Sequence, residues 1–257
     1  MARFFLKYII AIIAGAISLV SLFIIHTLPI VWLFILVTIV WIALIIILER
    51  LFIDQIIADK EDLLALVITT ILSIVGLLTL LESTKFRFFL ILVGSVLVGS
   101  LFAITIYREK TSQYNAKTLR RMIMMLWVFD AYAAVTTLLA LSVFFIRIPF
   151  WVWGLLSAII FSYISIMIWK QYFKAHPKHF TLWGLVLGLV MFELVWVIYL
   201  LPFGYLVLGF LVTWIWYVLQ LFIRFHLTPQ KIVWRKQRTF ILANIAFYQY
   251  WFLLLEA

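Results

Sequence analysis

The sequence predicts an all-α, polytopic integral membrane helix bundle: eight transmembrane helices arranged as four hairpins, plus a short C-terminal ninth hydrophobic helix. Three observations predict it. The 257 residues are 68% apolar with a mean hydropathy of +1.24, whereas a soluble domain is about half apolar. Only 12% are charged, and those charges gather between apolar runs of the length that crosses a ~30 Å hydrocarbon core. The runs are continuously apolar, whereas barrel strands would alternate over about ten residues.

The first run, Phe5 to Ile25, follows Arg3 and Lys7. Its Ala14, Gly15 and Ala16 give it a superficial likeness to a cleavable signal peptide, but it is long enough to span and reads as an uncleaved helix. Ile30 to Leu48 begins after Pro29 and stops at Glu49 and Arg50. Leu63 to Leu81 lies between acidic residues, and Phe88 to Tyr107 between Arg87 and Arg108. Met122 to Phe145 follows Arg120 and Arg121, and Phe150 to Trp169 runs from Pro149 to Lys170. Thr181 to Leu201 ends at Pro202, and Tyr205 to Ile223 ends at Arg224. Residues 1–223 therefore form the eight-helix bundle, and residues 224–257 a basic interfacial segment with the C-terminal helix. That last run, Phe240 to Leu255, is short and carries Asn244 and Gln249; it reads either as a ninth span or as a helix packed across the bundle. Leu51 to Asp62, with Phe52, Ile53, Ile56 and Ile57 on one face, is expected to lie along the headgroups.

A net charge of +10 would suggest nucleic acid in a soluble protein, but here its placement is a topology signal and no nucleic-acid partner is expected. With the N-terminus placed in the cytoplasm, the outer turns hold only Lys85, Arg87 and Arg147 of the 20 Lys and Arg. This positive-inside bias predicts a plasma (inner) membrane protein with a cytoplasmic N-terminus. Three outer tips share similar text, Leu28-Pro29-Ile30, Ile148-Pro149-Phe150 and Leu201-Pro202-Phe203, which is compatible with an ancestral hairpin repeat or with the ordinary preference for proline in a first turn.

Several chemistries are excluded or disfavoured. The chain has no cysteine, so disulfides, thiolate catalysis and Cys-ligated metals are absent. It has no GxSxG, HExxH, P-loop or paired-aspartate motif, and no lysine inside a span for a Schiff base. All four histidines fall in loops, which speaks against a haem cytochrome. No catalytic residue, cofactor or metal site is expected.

Of ten acidic residues, only Asp130 and Glu193 fall inside spans. A charged carboxyl at mid-membrane costs about 2.5–3.5 kcal/mol even on lenient insertion scales, so each needs a reason to be there. From the inner ends of their helices the depths are about 12 and 18 Å, which would let them share a layer. Ala133, Ala134 and Thr137 follow Asp130 on one face, a small-residue stripe that should meet another helix. Glu193 lies among Leu189, Val190, Trp196 and Val197, so an ionised carboxyl there would need a partner from elsewhere. Two readings stand side by side: a proton or cation site, or acids that tie helices together through hydroxyl groups.

Other small-residue stripes include Ala11, Gly15 and Ser18; Thr69, Ser73 and Gly76; Ser95, Gly99 and Ala103; and Gly184 and Gly188. They predict close helix contacts, with helices three to six forming the tight centre. Trp32, Trp151, Trp153, Trp169 and Trp183 fall near span ends as an aromatic belt would. Trp196, Trp214, Trp216 and Tyr217, with Thr137, are candidate cavity-lining residues, core packing being the alternative. Lys174, His176, Lys178 and His179 form a candidate headgroup-binding basic face.

From these features a small carrier or permease for a proton-coupled, cationic or lipid-like solute is the first expectation. A non-catalytic membrane subunit or assembly factor is the second, and a lipid-modifying enzyme the third. Membrane lipids and other membrane-protein subunits are the expected partners. A cavity reaching both carboxyls would favour the carrier; acids capped by hydroxyls beside a flat apolar flank would favour the subunit.

Overall fold

In hydrocarbon every backbone N–H and C=O has to be satisfied within the protein, and a continuously apolar segment does this most simply as a helix. The computed structural model describes residues 2–27, 31–52, 60–108, 113–173, 180–227 and 242. These residues form eight α-helices and no strand: α1 (Ala2–Thr27), α2 (Val31–Phe52), α3 (Lys60–Leu80), α4 (Thr84–Arg108), α5 (Gln113–Phe144), α6 (Phe150–Lys170), α7 (Phe180–Tyr199) and α8 (Tyr205–Leu227). Seven are long and apolar enough to cross a membrane, and α3 contributes a shorter apolar stretch, Leu64–Leu80. The chain is thus a multi-pass membrane protein. The expected C-terminal helix, apart from Leu242, and most of both interfacial segments lie outside the described residues.

α5 has 32 residues, about 48 Å at 1.5 Å per residue, so it projects well beyond a ~30 Å core. Its polar first turns extend past the apolar stretch that begins at Arg120.

The helices form two four-helix rings. In the first, α1 packs on α2 and α4, α3 packs on α4, and α2 touches α3. The second repeats this connectivity: α5 packs on α6 and α8, and α7 on both α6 and α8. The rings meet mainly along α3 and α5. Neighbours within each hairpin do touch, but the most extensive pairs are α1 with α4 and α6 with α7. A shift of four helices matches the Pro29 tip to the Pro149 tip, whereas the Pro202 tip corresponds to the Leu81–Ser83 turn, which has no proline.

Lipid tails are as apolar as leucine, so helices associate through close packing and hydrogen bonds. The small-residue stripes are where this happens. A Cβ added to Gly99 would lie 3.0 Å from the Ala11 carbonyl oxygen and 3.3 Å from Gly15 Cα, so the α1 and α4 stripes face each other backbone to backbone. Likewise a Cβ on Gly188 would meet the Ala158 carbonyl oxygen at 3.2 Å, and Ser162 donates a hydrogen bond to the Gly184 carbonyl, which joins α6 to α7. A Cβ on Gly209 of α8 would also lie 3.1 Å from Thr136 Cα on α5, so close backbone approaches occur at α1–α4, α6–α7 and α5–α8 and are not confined to helices three to six.

Large aromatic residues fill the interior. Trp41, Trp127, Trp169, Trp216 and Phe161 are fully buried. Trp41 Nε1 donates to Ser18 Oγ at 3.2 Å in the first ring, and Trp216 Nε1 to Ser165 Oγ at 2.8 Å in the second. Each serine hydroxyl in turn reaches the carbonyl one helical turn back, Ala14 and Phe161 respectively. Trp153 and Trp169, expected in a belt, are core residues: Trp169 stacks on Phe180 and donates to the Gln220 carbonyl at 3.3 Å.

Candidate functional site

Asp130 lies ten residues beyond Arg120 on α5, about 15 Å along the helix axis and so near the middle of the span. It is 1% exposed. α3 and α5 run parallel here, with Thr69 beside Asp130 and Gly76 beside Thr137, and glycine at 76 lets the second pair close. The Asp130 Oδ2 atom accepts hydrogen bonds from Thr69 Oγ1 at 2.9 Å and Thr70 Oγ1 at 3.0 Å. Ser73 Oγ donates to the Asp130 backbone carbonyl at 3.4 Å.

The Thr69 hydroxyl has one proton and three acceptors within reach, since the Ala65 and Leu66 carbonyls also lie 2.9 Å away. Given to a carbonyl of its own helix, that proton leaves the Thr69 oxygen as an acceptor facing the carboxyl; given to Asp130, it serves a carboxylate. The pair therefore suits either protonation state of Asp130. Asp130 Oδ1 is buried with no hydrogen-bond partner among the described residues. Trp127 Nε1 on α5, and Thr213 Oγ1 and both side-chain amide atoms of Gln220 on α8, are also buried without partners among those residues.

Glu193 has the opposite setting. It lies 13 residues into α7, about 20 Å from that helix's start, and its side chain is exposed on the outer surface of the bundle. Leu189, Val190, Trp196 and Val197, one turn to either side, are exposed with it. Glu193 makes no hydrogen bond or ion pair among the described residues. The glycine face of α7, with Gly184 and Gly188, is the one packed on α6. The two carboxyls are consequently not brought together: Asp130 turns toward α3, and Glu193 turns outward.

Of the candidate cavity-lining residues, Thr137 packs against Gly76, Trp216 is wholly buried, and Trp214 and Tyr217 are half-buried. Trp196 is 46% exposed, edge-on to Phe150 and Phe192. Lys174, His176, Lys178 and His179 lie outside the described residues. Among those residues, no three metal-ligating side chains gather. The hydroxyls of Thr69 and Thr70 and the amide of Gln220 are the polar groups the sequence reading did not assign to a site. The adjacent threonines in an otherwise apolar run were a usable signal, since two hydroxyls at one level of a span ask for an acceptor on the neighbouring helix.

Chemically, Asp130 can hold a proton or bind hydroxyl donors inside the bundle, and Glu193 can accept hydrogen bonds from a group arriving through the lipid. Comparison of the chain with protein-family models, curated proteins and solved structures finds no match, so function has to be read from this geometry.

Proposed function

We propose that this chain is a non-catalytic membrane subunit or assembly factor whose α7 outer face receives a transmembrane helix of another membrane protein. One observation carries the reading: Glu193 is exposed within the span, about two-thirds of the way along α7, on an apolar flank and with no partner among the described residues. A carboxyl facing lipid at that depth is costly, and intramembrane polar groups normally pair with one another or face a protein interior. The occupant it fits is a helix carrying a lysine, an arginine or an amide side chain at matching depth. Exposed Leu189, Val190 and Val197 supply the apolar surround, and the opposite face of α7 is already fixed to α6.

The test uses a photo-crosslinking amino acid at Val197 in native membranes, with the crosslinked site mapped by mass spectrometry. The expected product joins Val197 to a transmembrane segment that bears such a donor within about one turn of the crosslink. It should be lost in Glu193→Leu and largely kept in Glu193→Gln, whose amide still accepts a hydrogen bond. Lipid adducts alone, an adduct unaffected by Glu193→Leu, or capture of the chain's own C-terminal segment would each overturn the reading.

A second reading, a proton-coupled or cation carrier, is supported by the buried Oδ1 of Asp130, which has no hydrogen-bond partner among the described residues and lies at the seam between the two rings. Carriers commonly place their coupling sites near the bilayer midplane at a repeat interface. Reconstituted vesicles carrying a pH-sensitive dye test it: a solute-dependent proton flux abolished by Asp130→Asn is the expected result, and flux retained by that variant excludes Asp130 as the coupling site.

A further inference from the structure

A second polar arrangement sits at the end of the bundle where the apolar stretch of α5 begins, away from both carboxyls. Arg120 on α5 and Arg224 in the last turn of α8 both place their guanidinium carbons over the ring of Tyr172, just beyond α6, at 5.3 and 4.1 Å from its centroid. The Tyr172 hydroxyl lies 3.4 Å from Met124 Sδ, and Arg224 Nη1 lies 3.5 Å from the same sulfur. Residues of α5, of α8 and of the turn just after α6 thus hold two guanidinium groups on one aromatic ring. Met124 is buried; Arg120, Tyr172 and Arg224 are half-buried.

Two cations sharing a ring repel each other, and half-burial weakens the solvent screening that would relieve them. The ring quadrupole offsets part of this by cation–π attraction, and two guanidinium groups held this close can contact one anion together. The guanidinium fork matches the oxygens of a phosphate, to which it can donate two parallel hydrogen bonds. Depth selects the kind of phosphate. Arg120 opens the apolar stretch of α5 and Arg224 closes that of α8, so the cluster lies where hydrocarbon gives way to headgroups. Basic pockets between helices at this level are suited to anionic headgroups.

We propose that Arg120 and Arg224, held on Tyr172, bind the phosphate of an anionic phospholipid between α5, α6 and α8. This site involves neither Glu193 nor Asp130 and stands or falls independently of the function proposed above. Full-length protein in neutral detergent, titrated with phosphatidylglycerol or phosphatidylcholine and read by native mass spectrometry, tests it. The wild type is expected to retain one phosphatidylglycerol with a several-fold preference over phosphatidylcholine. Arg120→Gln/Arg224→Gln should lose that preference, while Arg121→Gln, which removes one charge at the exposed neighbouring position, should keep it. Equal retention by the double variant, or an equal loss in Arg121→Gln, overturns the proposal. If inorganic phosphate raises the melting temperature as much as phosphatidylglycerol does, the site belongs to a soluble phosphate and the lipid assignment fails. Should the double variant not fold, Arg120→Gln alone decides: several-fold weaker retention supports the site, and wild-type retention refutes it.

Discussion

Asp130 shows how one residue can be tolerated at mid-membrane: its Oδ2 atom lies within reach of two threonine hydroxyls, and a serine caps its backbone carbonyl. Asp130→Leu should leave Thr70 without its acceptor and destabilise the bundle by about 1 kcal/mol, within the range for intramembrane hydrogen bonds. Asp130→Asn keeps a carbonyl acceptor and should cost less. Equilibrium unfolding in mixed micelles compares the two, and an equal loss would mean that the hydroxyls do not matter. Ser165→Ala tests the same physics at the buried Trp216 indole. Leaving that donor without an acceptor should cost about 1–3 kcal/mol, readable in the same assay. That Asp130 faces another helix was legible from the small residues following it; that the facing groups are Thr69 and Thr70 was not, because no local pattern says which helix is the neighbour.

At the scale of the helix, glycine decides how closely two spans approach. Gly99→Val would force side-chain atoms into the Ala11 carbonyl and the Gly15 backbone. Neither obstacle can swing aside, so a loss of about 1–3 kcal/mol is expected. At Gly184 the obstacle to an added Cβ is the end of the Ile166 side chain, which can change rotamer, and Gly184→Ala should cost markedly less. Gly204 has nothing within 4 Å of an added Cβ, so Gly204→Ala serves as the neutral control. Unfolding midpoints should rank the three variants in that order, and a Gly99 variant as stable as the Gly204 one would refute the close α1–α4 approach. The stripes themselves were readable from i, i+4 spacing. Which stripe meets which was not, and the expectation of a tight centre in helices three to six failed because α1 pairs with α4 across three intervening connections.

For the whole molecule, the two rings of like connectivity place α3 and α5 at the seam, and the most polar cluster of the interior lies on it. Topology is the prediction proper to this scale, and the absence of native cysteine makes it clean to measure. Ser83→Cys and Gly204→Cys, both in exposed turns at one end of the bundle, should react with a membrane-impermeant maleimide added outside intact cells. Ser112→Cys, in the connection before α5, should react only after permeabilisation. The reverse pattern would overturn the orientation inferred from the charge bias.

The sequence alone determined that this chain lives in a membrane, where its long apolar runs lie, and which two acidic residues fall inside them. Those properties follow from local composition, because apolar length and flanking charge set a span whatever its neighbours are. Tertiary structure decided the rest: that the first and last helix of each ring pack together, that Asp130 is enclosed by hydroxyls while Glu193 is exposed on an apolar flank, and that two arginines far apart in sequence share one tyrosine ring. In a segment apolar on every side, periodicity does not mark which face meets protein and which meets lipid. Only the packed bundle distinguishes a buried acid from an exposed one.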